Sequence, residues 1–123
     1  MPGAIDDFLQ GKHPEAVRLF RKFEQLVQAC GPSQEYVLRT VVYFKRRRVF
    51  AGAFIRGKRL ELILELLRTA SHPQLITSYR GTKKVMTHRL RISNESELDA
   101  ALADLIRESY ETVGPGTRAA GGR

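Results

Sequence analysis

The stretch TVVYFKRRRVFAGAFIRGKRLELILELL, residues 40–67, decides the fold. Residues 40–45 are β-branched and aromatic, which suits a pleated, half-buried surface and predicts a strand. Arg46-Arg47 falls at a turn. A second apolar run, residues 49–55, carries Gly52 inside it and predicts a second strand, and Arg56-Gly57 punctuates again. Residues 59–67 read two ways. Leu60, Leu62, Leu64 and Leu66 alternate as in a strand, while Leu60, Ile63, Leu64 and Leu67 mark a helix face. Arg56-Gly57 between two short apolar runs looks like a hairpin, so the strand is preferred.

Outward from this centre the period changes. Residues 4–10 predict a short helix with Ile5, Phe8 and Leu9 inward, ended by Gly11. Pro14 suits the first turn of a longer helix, where its missing N–H costs nothing. Ala16, Leu19, Phe20, Phe23, Leu26, Val27 and Cys30 then form one apolar face, and Gly31-Pro32 stops it. Residues 71–84 are polar, hold His72-Pro73, Gly81 and two lysines, and read as a long loop. Met86, His88, Leu90 and Ile92 alternate with Thr87, Arg89 and Arg91, a half-buried strand. Asn94-x-x-Glu97 resembles a capping box opening a last helix, with Leu98, Leu102, Leu105, Ile106, Tyr110 and Val113 on one face. The expected fold is α+β: a four-stranded antiparallel meander, with N-terminal helices and a C-terminal helix packed on one sheet face. Residues 1–116 are expected to form one domain and 117–123 a flexible tail.

Length and composition agree with this. A chain of 123 residues with 42% apolar content supports one core. No apolar run approaches the ~18 residues of a membrane span. The first ten residues carry Asp6 and Asp7 and no basic residue, against a secretory signal. The single cysteine, Cys30, fits a reducing compartment, so a cytoplasmic protein without membrane contact is expected.

The net charge of +8 is localised. Residues 36–92 hold fourteen Lys and Arg against Glu61 and Glu65, a net of +12, while residues 1–35 and 93–123 are net acidic. Lys45-Arg46-Arg47-Arg48 is the densest run, and Arg56, Lys58, Arg89 and Arg91 extend it. Clustered arginine suits phosphate, because its planar fork donates two parallel hydrogen bonds. The competing reading is a solvated hairpin tip that blunts a sheet edge.

Several pieces of the chain resemble a bacterial domain-of-unknown-function family (family 5655 type), some of whose members carry the label "predicted transport protein". They are Phe8-Leu9-x-Gly11-Lys12, Leu19-Phe20, Gly31-Pro32, the run from Tyr43 to Ala51, His88-x-Leu90 and Tyr110-Glu111. The resemblance implies an α+β domain with no established activity and no catalytic residues to carry over. Family members often place an aromatic, frequently Trp, along the second strand, where this chain has Gly52 and Phe54. They often have paired histidines where it has Thr87-His88.

Other chemistry is thinly supported. His88 shares a face with Leu90 and Ile92 and, with Tyr43, is a candidate pocket residue; a core histidine is the plainer reading. His13, His72, His88 and Cys30 show no metal-ligand spacing, and nothing calls for a cofactor. Glu61 and Glu65 share one strand face about 13 Å apart, too far for a glycosidase pair. They read as cross-strand partners of arginine.

The leading expectation is a non-enzymatic binding module whose basic sheet region, Lys45, Arg46, Arg47, Arg48, Arg56, Lys58, Arg89 and Arg91, contacts nucleic acid or another phosphate-bearing partner. The alternatives are a self-associating homodimer, suggested by apolar residues on both faces of the first two strands, and a small-ligand or enzymatic pocket around His88.

Overall fold

A computed structural model describes residues 3–116; the tail expected at 117–123 lies outside the described residues. Two helices precede the sheet. In α1 (Ala4–Leu9), Ile5, Phe8 and Leu9 are buried, and Gly11 ends the turn with a φ of 79° that glycine adopts without strain. In α2 (Pro14–Gln28), Pro14 opens the helix and His13 caps it, its Nδ1 accepting from the Glu15 N–H. Ala16, Leu19, Phe20, Phe23 and Val27 make the buried face that the sequence predicts.

The sheet has six strands, not four: β1 (Gln34–Val37), β2 (Val41–Lys45), β3 (Val49–Arg56), β4 (Arg59–Leu66), β5 (Leu75–Arg80) and β6 (Met86–Ile92). Their order is β1-β2-β3-β4-β6-β5, antiparallel throughout. The four predicted strands are β2, β3, β4 and β6, which are neighbours at the centre. The two missed strands are the edges. The expected four-stranded meander is therefore corrected, and the expected loop at 71–84 holds β5. Edge strands lack the signal that marks central ones: residues 34–36 of β1 are all exposed, and β5 has no buried residue. Residues 59–67 resolve as strand, with Leu60, Leu62, Leu64 and Leu66 all buried.

The predicted last helix is also divided. Asn94 caps a single 3-10 turn (Glu95–Glu97), in which the Glu97 carboxylate accepts from the Ser93 and Asn94 N–H groups. A second cap, Asp99, accepts from the Leu102 N–H and starts α3 (Ala100–Thr112). That bond, followed by one from His72, holds the Asp99 carboxyl below the usual carboxylate range.

Antiparallel partners share a face, so the register sorts the side chains. Phe44, Ala51, Leu64 and His88 form one cross-strand row, and Val42, Ala53, Leu62 and Leu90 the next. These side chains are all buried, and α2 and α3 pack over this side of β3 and β4. The Phe23 ring of α2 meets Phe44 edge-on at 5.7 Å. Both helices therefore cover one face, as the sequence implies.

One side chain ties the layers together. A register shift in β2–β3 pairs Phe44 with Ala51 but Lys45 with Val49, leaving Phe50 as the extra residue. Phe50 is fully buried and packs edge-on against Tyr110 of α3, with ring centroids 5.2 Å apart. The Tyr110 hydroxyl donates to the Pro32 carbonyl at 2.9 Å, and the ring leaves no room for a side chain at Gly31, whose φ is 142°. The Arg46 guanidinium lies 4.3 Å from the Tyr110 ring centre and donates to the Tyr110 carbonyl at 3.0 Å.

This junction predicts a graded mutant series. Tyr110→Phe removes one hydrogen bond and lowers stability by about 1 kcal/mol. Tyr110→Ala also opens a cavity and costs about 3–5 kcal/mol. Urea unfolding of the two variants checks the order; equal losses would place the stabilisation elsewhere.

Candidate functional site

The opposite face of the sheet carries no helix of the described chain. Its central cross-strand row runs Tyr36, Tyr43, Gly52, Ile63, Arg89, Thr77. The adjoining row is Val41, Phe54, Glu61, Arg91, and Lys45 and Tyr79 lie on the other side of the central row. Tyr43 and Phe54 are half-buried, while Tyr36 and Tyr79 are each 44% exposed. Gly52 gives the Tyr43 ring its place: a β-carbon there would sit 2.8 Å from Tyr43 Cδ1 and 3.2 Å from the Val42 carbonyl oxygen. Lys45 Nζ lies 5.2 Å from the Tyr36 ring centre. Aromatic surface and cations thus alternate on one open face.

Polar contacts fix part of it. Arg89 donates to Glu61 through both Nε, at 2.6 Å, and Nη2, and Arg56 Nε lies 3.5 Å from the other Glu61 oxygen. The Glu61 bond, followed by Tyr79, pushes Arg89 further above the ordinary arginine range, so it stays cationic. Glu65 accepts instead from the Thr87 hydroxyl, at 2.6 Å. The guanidiniums of Arg56 and Arg89 lie 5.1 and 5.4 Å from the Phe54 ring centre.

The charge divides by layer. Of the fourteen cations in residues 36–92, Arg68 reaches a helix carboxylate, Glu108, while Arg56 and Arg89 share Glu61. The other eleven have no ion-pair partner among the described residues. Eleven of the thirteen acids lie before β2 or after β6, and several pair with basic residues on the helices themselves: Arg18, Arg21, Lys22 and Arg107.

The predicted basic run does not lie on one face. Lys45 faces the open side. The Arg46 guanidinium is engaged with Tyr110, and the backbone N–H groups of Arg47 and Arg48 both donate to the Gly114 carbonyl. Carbonyls at a helix C-terminus carry partial negative charge, so this basic turn docks there. Arg56 and Lys58 sit at the β3–β4 end, the far end of β3 from that turn, and Arg89 and Arg91 lie across the open face. Lys45, Arg56, Arg89 and Arg91 therefore share a face, while Arg46, Arg47, Arg48 and Lys58 occupy its turns.

Comparison with protein families matches residues 5–113 to the family described as domain of unknown function (DUF5655). The chain belongs to this family. Comparison with curated proteins and with solved structures returns no match. Three of the pieces that carry the resemblance in this DUF5655 chain meet at the Tyr110 junction: Gly31-Pro32, the run from Tyr43 to Ala51 through Arg46 and Phe50, and Tyr110 itself. That part of the family pattern accounts for a fold contact, not for a reactive site.

Tyr43 and His88, the expected pocket residues, lie on opposite faces of the sheet and line no common pocket. His88 is buried on the helix side. Its Nε2 accepts from the Ala70 N–H at 2.9 Å, which leaves Nδ1 to donate to the Met86 carbonyl at 3.1 Å. The small cavity beside it is lined mostly by apolar side chains, with Ser71 and His72 the other polar residues. Burial pushes the Cys30 thiol up, away from the reactive thiolate. Among the described residues, no three His, Cys, Asp or Glu side chains converge as metal ligands, and no helix is long and apolar enough to cross a membrane.

Sequence reading omitted Tyr36, Tyr79 and Arg59 from the site. Tyr36 and Tyr79 belong to the two missed edge strands. Arg59 had a usable signal, the alternation Arg59, Glu61, Ile63 opposite the buried leucines.

His88 therefore has a structural assignment with a measurable consequence. His88→Ala leaves the buried Ala70 N–H without an acceptor and lowers stability by about 2–4 kcal/mol. Because the side chain points away from the open face, anion binding there is unchanged. Chemical denaturation alongside a binding titration checks both halves.

Proposed function

We propose that the helix-free face of the sheet binds single-stranded nucleic acid, without catalysing a reaction. The observation that carries this reading is the coincidence, on one uncovered face, of Tyr36, Tyr43, Phe54 and Tyr79 with cations that no carboxylate neutralises. Single-stranded binding needs both parts. Bases stack on aromatic rings in a sequence-tolerant way, and basic side chains track the phosphates. A duplex presents no free base faces and leaves the tyrosines without a role.

Electrostatic layering supports the same reading. The acids lie mainly on the helical layer and its flanks, so a polyanion is drawn to the sheet face and repelled from the opposite side. Lys45, Arg59 and Arg91 are unpaired on this face, and further unpaired cations stand at its turns, enough for contacts to several phosphates. The ends of the face differ in kind: the Lys45 end offers one cation beside Tyr36, and the Arg56–Arg91 end offers a denser group.

The competing occupant is a second copy of the chain. Tyr36 and Leu38 are exposed beside the β1 edge. A two-chain mass in light scattering that oligonucleotide leaves unchanged would favour self-association.

Fluorescence anisotropy with short single-stranded DNA and RNA across a salt series tests the proposal. The expected result is binding that weakens with salt, with a log–log slope of about −0.7 for each phosphate contacted. Tyr43→Ala removes a stacking platform and weakens binding by about 1–3 kcal/mol. Lys45→Glu weakens it and flattens the salt dependence. No salt-dependent binding at low ionic strength would end the proposal.

A further inference from the structure

The densest charge on the open face gathers where the β3–β4 hairpin closes. The register sets Arg56 opposite Arg59, and Glu61 opposite both Phe54 and Arg91. Arg89 reaches the same Glu61 from β6. Arg56 and Arg89 thus contact this carboxylate while Arg59 and Arg91 stand next to it in the register, for a local net of +3. Both Glu61 oxygens are already engaged, one by Arg89 and the other by Arg56. Arg59 and Arg91 are exposed and have no ion-pair partner among the described residues.

Ion pairing to Glu61 accounts for Arg56 and Arg89, but folding alone gives no reason for Arg59 and Arg91. Like charges directly opposite each other destabilise an antiparallel pair, and Arg56 faces Arg59 directly. Arg56, Arg59, Leu60, Glu61 and Arg91 line a depression of about 160 Å³. One of the lining arginines is held in place beforehand, since Arg56 lies against Glu61 and the Phe54 ring, while Arg89, outside the lining, binds the other Glu61 oxygen and offsets its charge. A concave site with surplus arginine and a pre-positioned guanidinium matches a compact, multiply charged anion.

We infer that this depression is a phosphate-monoester subsite that receives the terminal phosphate of a nucleic acid strand, an assignment of ligand that rests on the reading of the open face given above. A monoester carries about −1.5 to −2 at pH 7, closer to the local surplus than the single charge of a diester. The position agrees. The depression adjoins the Val41–Phe54 row at the end of the sheet, one row beyond Tyr43 and Gly52. A strand stacked on the tyrosines would end there.

Two measurements on the wild-type chain, each with a matched variant, test the site. Anisotropy compares one single-stranded oligonucleotide with no terminal phosphate, a 5′ phosphate or a 3′ phosphate. Thermal unfolding compares inorganic phosphate with chloride at equal ionic strength. The expected results are about tenfold tighter binding of one phosphorylated form and a melting temperature raised by phosphate but not by chloride. The double variant Arg59→Ala with Arg91→Ala should lose both effects. It should melt no lower than wild type without anion, because like-charge repulsion has been removed. Equal affinity for all three oligonucleotides, with no phosphate-specific rise in melting temperature, overturns the subsite and leaves the open-face reading standing. A phosphate-specific rise without oligonucleotide binding does the reverse: the subsite stands and the nucleic-acid reading falls.

Discussion

The contact on which the rest of the structure depends is Tyr110 held between Arg46, Phe50 and the Gly31-Pro32 turn. Each partner comes from a different part of the chain: the β2–β3 turn, the bulge in β3, and the exit of α2. The contact closes the C-terminal end of α3 onto the sheet and brings the Gly114 carbonyl to the basic turn. With α3 fixed there and α2 beside it, the helical layer covers one sheet face and leaves the other without cover. The open face is thus a consequence of where the helices are anchored.

Much of this architecture was legible in the sequence, and the exceptions have a common cause. Central strands are buried on the helix side, so their apolar alternation is strong: Leu60, Leu62, Leu64 and Leu66 in β4, and His88, Leu90 and Ile92 in β6. Edge strands β1 and β5 bury almost nothing, and their pairing comes from backbone hydrogen bonds that composition does not record. The divided start of the last helix was hidden for a similar reason. Asn94 and Asp99 are both sound caps, and Leu98, with φ −86° and ψ 66°, separates the two turns they begin.

The candidate site was legible as charge but not as surface. The run Lys45–Arg48 reads as one cluster along the chain, yet the turn sends Arg46 to Tyr110 and leaves Lys45 on the open face. Pairing Tyr43 with His88 failed on parity. Each residue's own strand was foreseen, but the register across β2, β3, β4 and β6 decides which face each shares. The same register brings Arg56, Arg59, Glu61, Arg89 and Arg91 together, although they span more than thirty positions in the sequence. The net acidic flanks leave the basic middle largely unneutralised: apart from Arg68 with Glu108, the helix carboxylates pair mainly with the helices' own arginines and lysines.

The proposed single-strand site rests on a sheet with helices on one side, aromatics and unpaired cations on the other, and acids on the helical layer. Chemical-shift mapping by NMR during titration with an unphosphorylated single-stranded oligonucleotide tests this most directly. The account predicts shifts concentrated at Tyr36, Tyr43, Gly52, Phe54, Tyr79 and Arg89, with α2 and the exposed face of α3 unmoved. Shifts centred on the helices, or none at low ionic strength, would contradict it.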